Sequence, residues 1–213
     1  MTVSKLLAIC GVIAPVLFLT LLIVAGSLRP GYDQLRNYIS PLGVGPNAAI
    51  QNVNFIVVGV LMIGFVLGLH RSVGGGRGSK TGPALLGAGA MGFSALGFFP
   101  TCPGWCASGT IHSLLFFIVV TGAVVGLPVF SRRLNQDDQW KSYVGYSIST
   151  AIVALASFAA ILMWATADSK TLAPTGLLAP WAGLLQRIFA GTSDNSDWEK
   201  IDSSQRVGQY FTK

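Results

Sequence analysis

Charge is scarce in this sequence. Only 10% of its 213 residues are Asp, Glu, Lys or Arg, and 52% are hydrophobic; ordinary soluble domains carry roughly 25% charged residues. So little charge on so long a chain excludes a water-covered globular fold and points to the helical membrane class. Carboxylates number eight, and none lies in the apolar runs 6–27, 53–69, 83–99, 111–130 or 143–167. Their absence weighs against a transporter with a buried acidic proton relay and against acid/base chemistry by paired carboxylates. Neither HExxH nor GxSxG occurs. The net charge of +6 comes without a dense basic patch interleaved with aromatics, so nucleic acid is not an expected partner. Histidine occurs twice and cysteine three times. Cys102, Cys106 and His112 offer no fourth ligand, so no metal is assigned, and no cofactor is implied.

What the chain has is apolar length, with a mean hydropathy of +0.61. Backbone groups in lipid must be paired internally, and Leu/Ala/Gly-rich runs do this as helices. The fold expected is an all-α, polytopic transmembrane bundle. Five spans are expected, at Leu6 to Ser27, Val53 to Leu69, Pro83 to Phe99, Ile111 to Phe130 and Tyr143 to Ala167, plus a short sixth at Leu172 to Ala190. The first run is too long for the roughly 7–15-residue core of a cleavable signal, and Cys10 within it reads as a small packing residue. The transmembrane domain is then 1–190, followed by a polar tail over 191–213. Small residues recur at helical spacing: Ala84, Ala88, Gly92 and Ala95; Gly64 and Gly68; Gly122 and Gly126. Such stripes let helices approach closely in lipid. The Gly-rich loop from Arg71 to Lys80 lacks the ending and the preceding strand of a phosphate loop.

The polar segment Arg29 to Gly43, between the first two runs, organises the rest. Tyr32, Leu35, Tyr38 and Ile39 recur at helical spacing, which predicts a small interfacial helix with Asp33 and Arg36 paired on it. With six crossings and a cytoplasmic N-terminus, eleven Lys and Arg fall inside and three (Arg29, Arg36 and Lys170) outside, as the positive-inside rule favours. If the last segment does not cross, the split becomes seven and seven. In the six-span topology this segment, Cys102, Cys106 and the start of the fourth span share the outer face. Cys102 and Cys106 could form a structural disulfide there or remain thiols; redox catalysis would prefer Cys-x-x-Cys. His112 is the one ionisable group well inside a span, which marks it as a functional candidate; the plainer alternative is a neutral histidine bonding a hydroxyl or carbonyl. The candidate ligand-binding residues are Arg36, Asn37, Tyr38, Ser40 and His112, with Arg187 on the last segment.

Tyr38-Ile39-Ser40-Pro41-Leu42-Gly43 followed by Asn52 and Asn54 resembles the first-loop signature of the DUF998 family. Phe99-Pro100 with His112 is similar to its second signature, and Gly183 to Ile188 to its third. The resemblance covers most of residues 5–190. It implies six spans, a bacterial or archaeal inner or plasma membrane, and no established activity; a distant DRAM-like kinship would imply lipid-facing roles. The sequence departs from the family pattern at Pro41 and Gln186, where carboxylates are frequent, and this turns the expectation away from an enzyme. The expected function is a non-catalytic accessory or scaffold subunit packing with lipid or other membrane subunits. A lipid-headgroup-binding or lipid-modifying protein using an outer Arg/His site, and a small-molecule permease, are the alternatives.

Overall fold

The computed structural model describes residues 3–73, 80–102 and 105–167. Its helices are α1 (Val3–Ser27), α2 (Ala48–Ser72), α3 (Thr81–Ala95), α4 (Ala107–Thr121), α5 (Leu127–Leu134) and α6 (Val144–Ala167). A π turn at Gly122–Gly126 joins α4 to α5 without a break, so the described residues form five rods and no strand. Pro128 explains the π turn. A proline in a running helix has no N–H and presses on the carbonyl four residues back, here Val124; widening the preceding turn relieves this.

Four rods are long and apolar enough to cross a membrane: Leu6–Ser27, Ala48–Ser72, Ala107–Leu134 and Lys141–Ala160. The third expected span differs. Its helix α3 has 15 residues, short of the roughly 20 a span normally takes, because the chain leaves helical form at Leu96 for turns that lead to Pro100. The fourth span begins earlier than its apolar run, at Ala107, and carries on through Arg132 and Arg133, which the sequence places in a loop. The sixth segment, Arg187 and the polar tail lie outside the described residues.

The rods alternate in direction. Leu7 and Cys10 near the start of α1 face Gly68 and Gly64 near the end of α2. Gly82 at the start of α3 faces Phe130 in α5, and Gly89 faces Gly122. These small residues set the spacing: a Cβ on Gly122 would lie 2.9 Å from the Gly89 Cα. The stripe read from α3 is partly displaced, since Ala84 is exposed while Gly82, Gly89 and Gly92 are buried. Between the rods, Leu22, Phe55, Val58, Phe93, Leu96, Phe116 and Val120 make one apolar core. Phe18 and Phe55 meet Phe93 edge to face. The outer surface is apolar too: Val12 is 68% exposed, Ile152 61% and Leu114 59%. A surface of this kind belongs in hydrocarbon. Gly59→Val would place its Cβ 2.5 Å from the Ser94 backbone. We expect it to cost about 1–3 kcal/mol, read as a lower Tm in detergent. Gly145→Ala, whose Cβ meets nothing within 4 Å, should not lower it.

The predicted interfacial helix does not form. Residues 30–39 are a run of turns, and the reason is local. Asp33 Oδ1 accepts from the Leu35 and Arg36 amides at 2.8 and 3.3 Å, and Asn37 Oδ1 accepts from the Asp33 amide at 2.6 Å. These are the contacts of a helix start, and one α turn follows, from the Asn37 amide to the Asp33 carbonyl at 2.8 Å; Pro41, with no N–H for the Asn37 carbonyl, does not continue it. The next helical order is a single 3-10 turn at Ser40–Gly43. That turn does not lie on the protein surface. Ser40, Pro41, Leu42 and Gly43 are all buried, and Ile39 and Leu42 belong to the core.

Candidate functional site

A loop driven into the end of a helical bundle brings its backbone polar groups with it, and each needs a partner. Arg29, two residues past α1, supplies several. It is 6% exposed; its Nη2 lies 3.5 Å from the Pro41 carbonyl and 3.4 Å from that of Leu42, and donates to that of Val44. Its neighbour Gly45 has φ +76°, and a Cβ there would lie 2.7 Å from Nη1, so both conformation and space call for glycine. Burial lowers the Arg29 pKa from its ordinary value, and Tyr32 opposes the change. An arginine starts so far above neutrality that it stays charged. Around it, the Tyr32 hydroxyl donates to the Tyr38 carbonyl at 2.9 Å, and Asn52 Nδ2 donates to the Gly43 carbonyl at 3.0 Å.

His112 pins the other side. Its Nδ1 is 2.7 Å from the Phe99 carbonyl, and its Nε2 is 3.0 Å from Ser40 Oγ. A carbonyl can only accept, so Nδ1 carries the proton and donates. In the neutral ring Nε2 then accepts from the Ser40 hydroxyl. Position 112 can do this because α4 starts close by. There Cys106 Sγ caps the Gly109 amide at 3.2 Å, Cys102 and Cys106 are joined as a disulfide with Cα atoms 6.5 Å apart, and Ser108 Oγ donates to the Pro100 carbonyl at 2.6 Å. One turn deeper on the same face, Phe116 enters the core.

The chemistry open to this cluster is narrow. A serine hydroxyl bonded to a neutral imidazole has the form of a nucleophile and its base. Here both side chains are nearly sealed, at 4% and 3% exposure, and both ring nitrogens are already engaged. Amides add to the cluster from α2. Asn54 Nδ2 donates to the Phe18 carbonyl at 3.1 Å, tying α2 to α1, and lies 3.4 Å from Gln51 Oε1. Gln51 and Asn54 are fully buried. Gln51 Nε2, Asn52 Oδ1, Asn54 Oδ1 and Thr101 Oγ1 have no partner among the described residues.

Of the residues proposed from the sequence, Ser40 and His112 come together directly. Tyr38 is buried beside them, 3% exposed, and contributes its backbone carbonyl. Asn37 holds the turn through its side chain. Arg36 does not join the cluster: its side chain is 70% exposed and pairs with Asp33 at 3.6 Å. Arg187 lies outside the described residues. The sequence reading missed Arg29, whose signal was an arginine directly after a span, with the nearby carboxylate Asp33 taken up by Arg36. It also missed a counterpart at the opposite end of the bundle. Arg133, 4% exposed, donates to the carbonyls of His70 at 2.9 Å and of Val73, with His70 Nδ1 3.0 Å away. It thereby satisfies carbonyls at the end of α2, as a basic side chain at a helix C-terminus can.

The sequence profile of a family described as "Protein of unknown function (DUF998)" matches residues 12–194. The chain belongs to the DUF998 family. No curated protein and no solved structure matches it. The match to DUF998 takes in both sides of the cluster, from Arg29 through Ser40 to His112, and with four long apolar helices the chain is a multi-pass membrane protein.

Proposed function

We propose that this DUF998 protein is a non-catalytic accessory or scaffold subunit of a membrane, packing against lipid or other membrane subunits through its helix faces. One observation carries this: the strongest polar groups of the candidate site, Arg29 and His112, are spent on the chain's own carbonyls and on Ser40. A catalytic pair would keep one face open to substrate. A permease would need polar groups along its length; here, among the described residues, the layer beneath the cluster is Phe55, Phe93 and Phe116.

The topology favoured by charge and redox chemistry puts the N-terminus in the cytoplasm and includes α3 and the sixth segment as crossings. Arg71, Lys80, Arg132, Arg133 and Lys141 lie at one end of the bundle; Arg29, Arg36 and the disulfide lie at the other. Basic ends remain inside, and disulfides persist outside. The test is gentle purification of the full-length chain from native membranes, together with its Ser40→Ala and His112→Asn variants. Partner subunits in a fixed ratio with all three chains agree with a scaffold. Recovery of the chain alone, with lipid turnover that disappears in the variants, would overturn it.

A further inference from the structure

At the end of the bundle away from the Arg29 cluster, α2 and α6 stand apart on either side of α3 and α5. The space between them is a groove of about 550 Å³, within the ~300–1,000 Å³ of sites that hold small molecules. Its walls are almost wholly apolar: Phe65 on α2, Leu86 on α3 and Gly122 in the π turn, with Ala8 of α1 beside them. Two features are not those of a plain apolar gap. Trp140 and Tyr143 sit at one end of it with ring centroids 5.7 Å apart, and the Trp140 indole Nε1 is buried with no partner among the described residues. Among the described residues, this end of the bundle also carries Arg71, Lys80, Arg132, Arg133 and Lys141 against the carboxylates Asp137 and Asp138, with Lys141 paired to Asp138 at 2.8 Å and Arg133 feeling the charge of Asp137.

We infer that the groove holds an acyl chain of an anionic phospholipid, with the headgroup at the Trp140 end. The apolar walls take the chain. The indole N–H gives a hydrogen bond to an ester or phosphate oxygen, as tryptophan does at membrane interfaces. The excess of cations attracts the headgroup charge. The inference rests on the helices lying in a bilayer and not on the accessory role, so either can fail without the other.

The test uses the full chain in nanodiscs of phosphatidylcholine containing a small fraction of photoactivatable lipid. The photoreactive group is near the end of one acyl chain, on phosphatidylglycerol or on phosphatidylcholine. Crosslinks are mapped by mass spectrometry. The expected result is labelling concentrated on groove residues such as Phe65 and Leu86, with phosphatidylglycerol preferred. Ala8→Phe, which fills the groove from the exposed face of α1, should remove most of that labelling. Arg71→Gln and Lys141→Gln, both at exposed positions, should each reduce the phosphatidylglycerol preference by about fivefold and leave phosphatidylcholine labelling unchanged. Labelling spread evenly over lipid-facing residues such as Val16 and Leu114 would mean annular lipid only. Groove residues left unlabelled in the full chain but labelled once residues 172–190 are removed would mean that the chain's own segment fills the space. Either outcome overturns the inference.

Discussion

Arg29→Met should destabilise the bundle by about 2–4 kcal/mol, the order expected when buried acceptors lose a charged donor. The substitution leaves the carbonyls of Leu42 and Val44 without their arginine donor in a region of low dielectric, where an unmade hydrogen bond is costly, while that of Pro41 keeps the Val44 amide at 3.1 Å. The methionine fills much of the space, so the loss reads polar satisfaction rather than a cavity. Arg29→Lys should recover only part of it, because an ammonium is a compact point charge and lacks the broad guanidinium fork. Thermal or detergent-induced unfolding in micelles gives the comparison. Equal stability of wild type and Arg29→Met would show that the loop is held by apolar contacts alone.

His112→Leu should cost about 2–4 kcal/mol, since it orphans the Phe99 carbonyl and the Ser40 hydroxyl together. His112→Asn keeps a donor close to where Nδ1 stands and should restore a substantial part. Ser40→Ala alone should cost less, because the histidine retains its bond to Phe99. A double-mutant cycle separates the Ser40–His112 bond from the rest: the variant carrying both His112→Leu and Ser40→Ala should lose less than the two single changes summed, with a coupling of about 0.5–3 kcal/mol. Strict additivity would mean that the 3.0 Å contact contributes nothing in solution.

Apolar runs made the long helices legible in the sequence, because in lipid a run of sufficient length has one stable form. His112 stood out for a related reason, as an ionisable group within such a run, and Ser40 was named beside it. The interfacial helix was misread because apolar spacing alone does not show where a helix must stop. Tyr32, Leu35 and Ile39 have helical periodicity, and Asp33 caps one α turn, but Pro41 has no N–H to carry that turn further. Arg29 was hidden because its partners are carbonyls 12 to 15 residues away, and carbonyls carry no mark in a sequence. The pairing of Arg133 with His70 spans 63 residues and has no local signature at all. The glycines were half legible: their abundance announces close packing, while the choice of Gly82 and Gly89 over Ala84 depends on how far α3 is rotated.

Amide hydrogen exchange over residues 30–47, in wild type and in Arg29→Met, tests most directly whether the loop is pinned inside the bundle. The Leu42 amide donates to the Ile39 carbonyl at 3.0 Å and that of Val44 to Pro41 at 3.1 Å, within a segment closed by Arg29 and His112. Both should exchange at least about a hundredfold more slowly than the exposed turn at Leu35 and Arg36, a gap of roughly 2.7 kcal/mol in opening free energy. In Arg29→Met that gap should close. Exchange in the wild type as fast at Leu42 and Val44 as at Leu35 would contradict a buried, pinned loop.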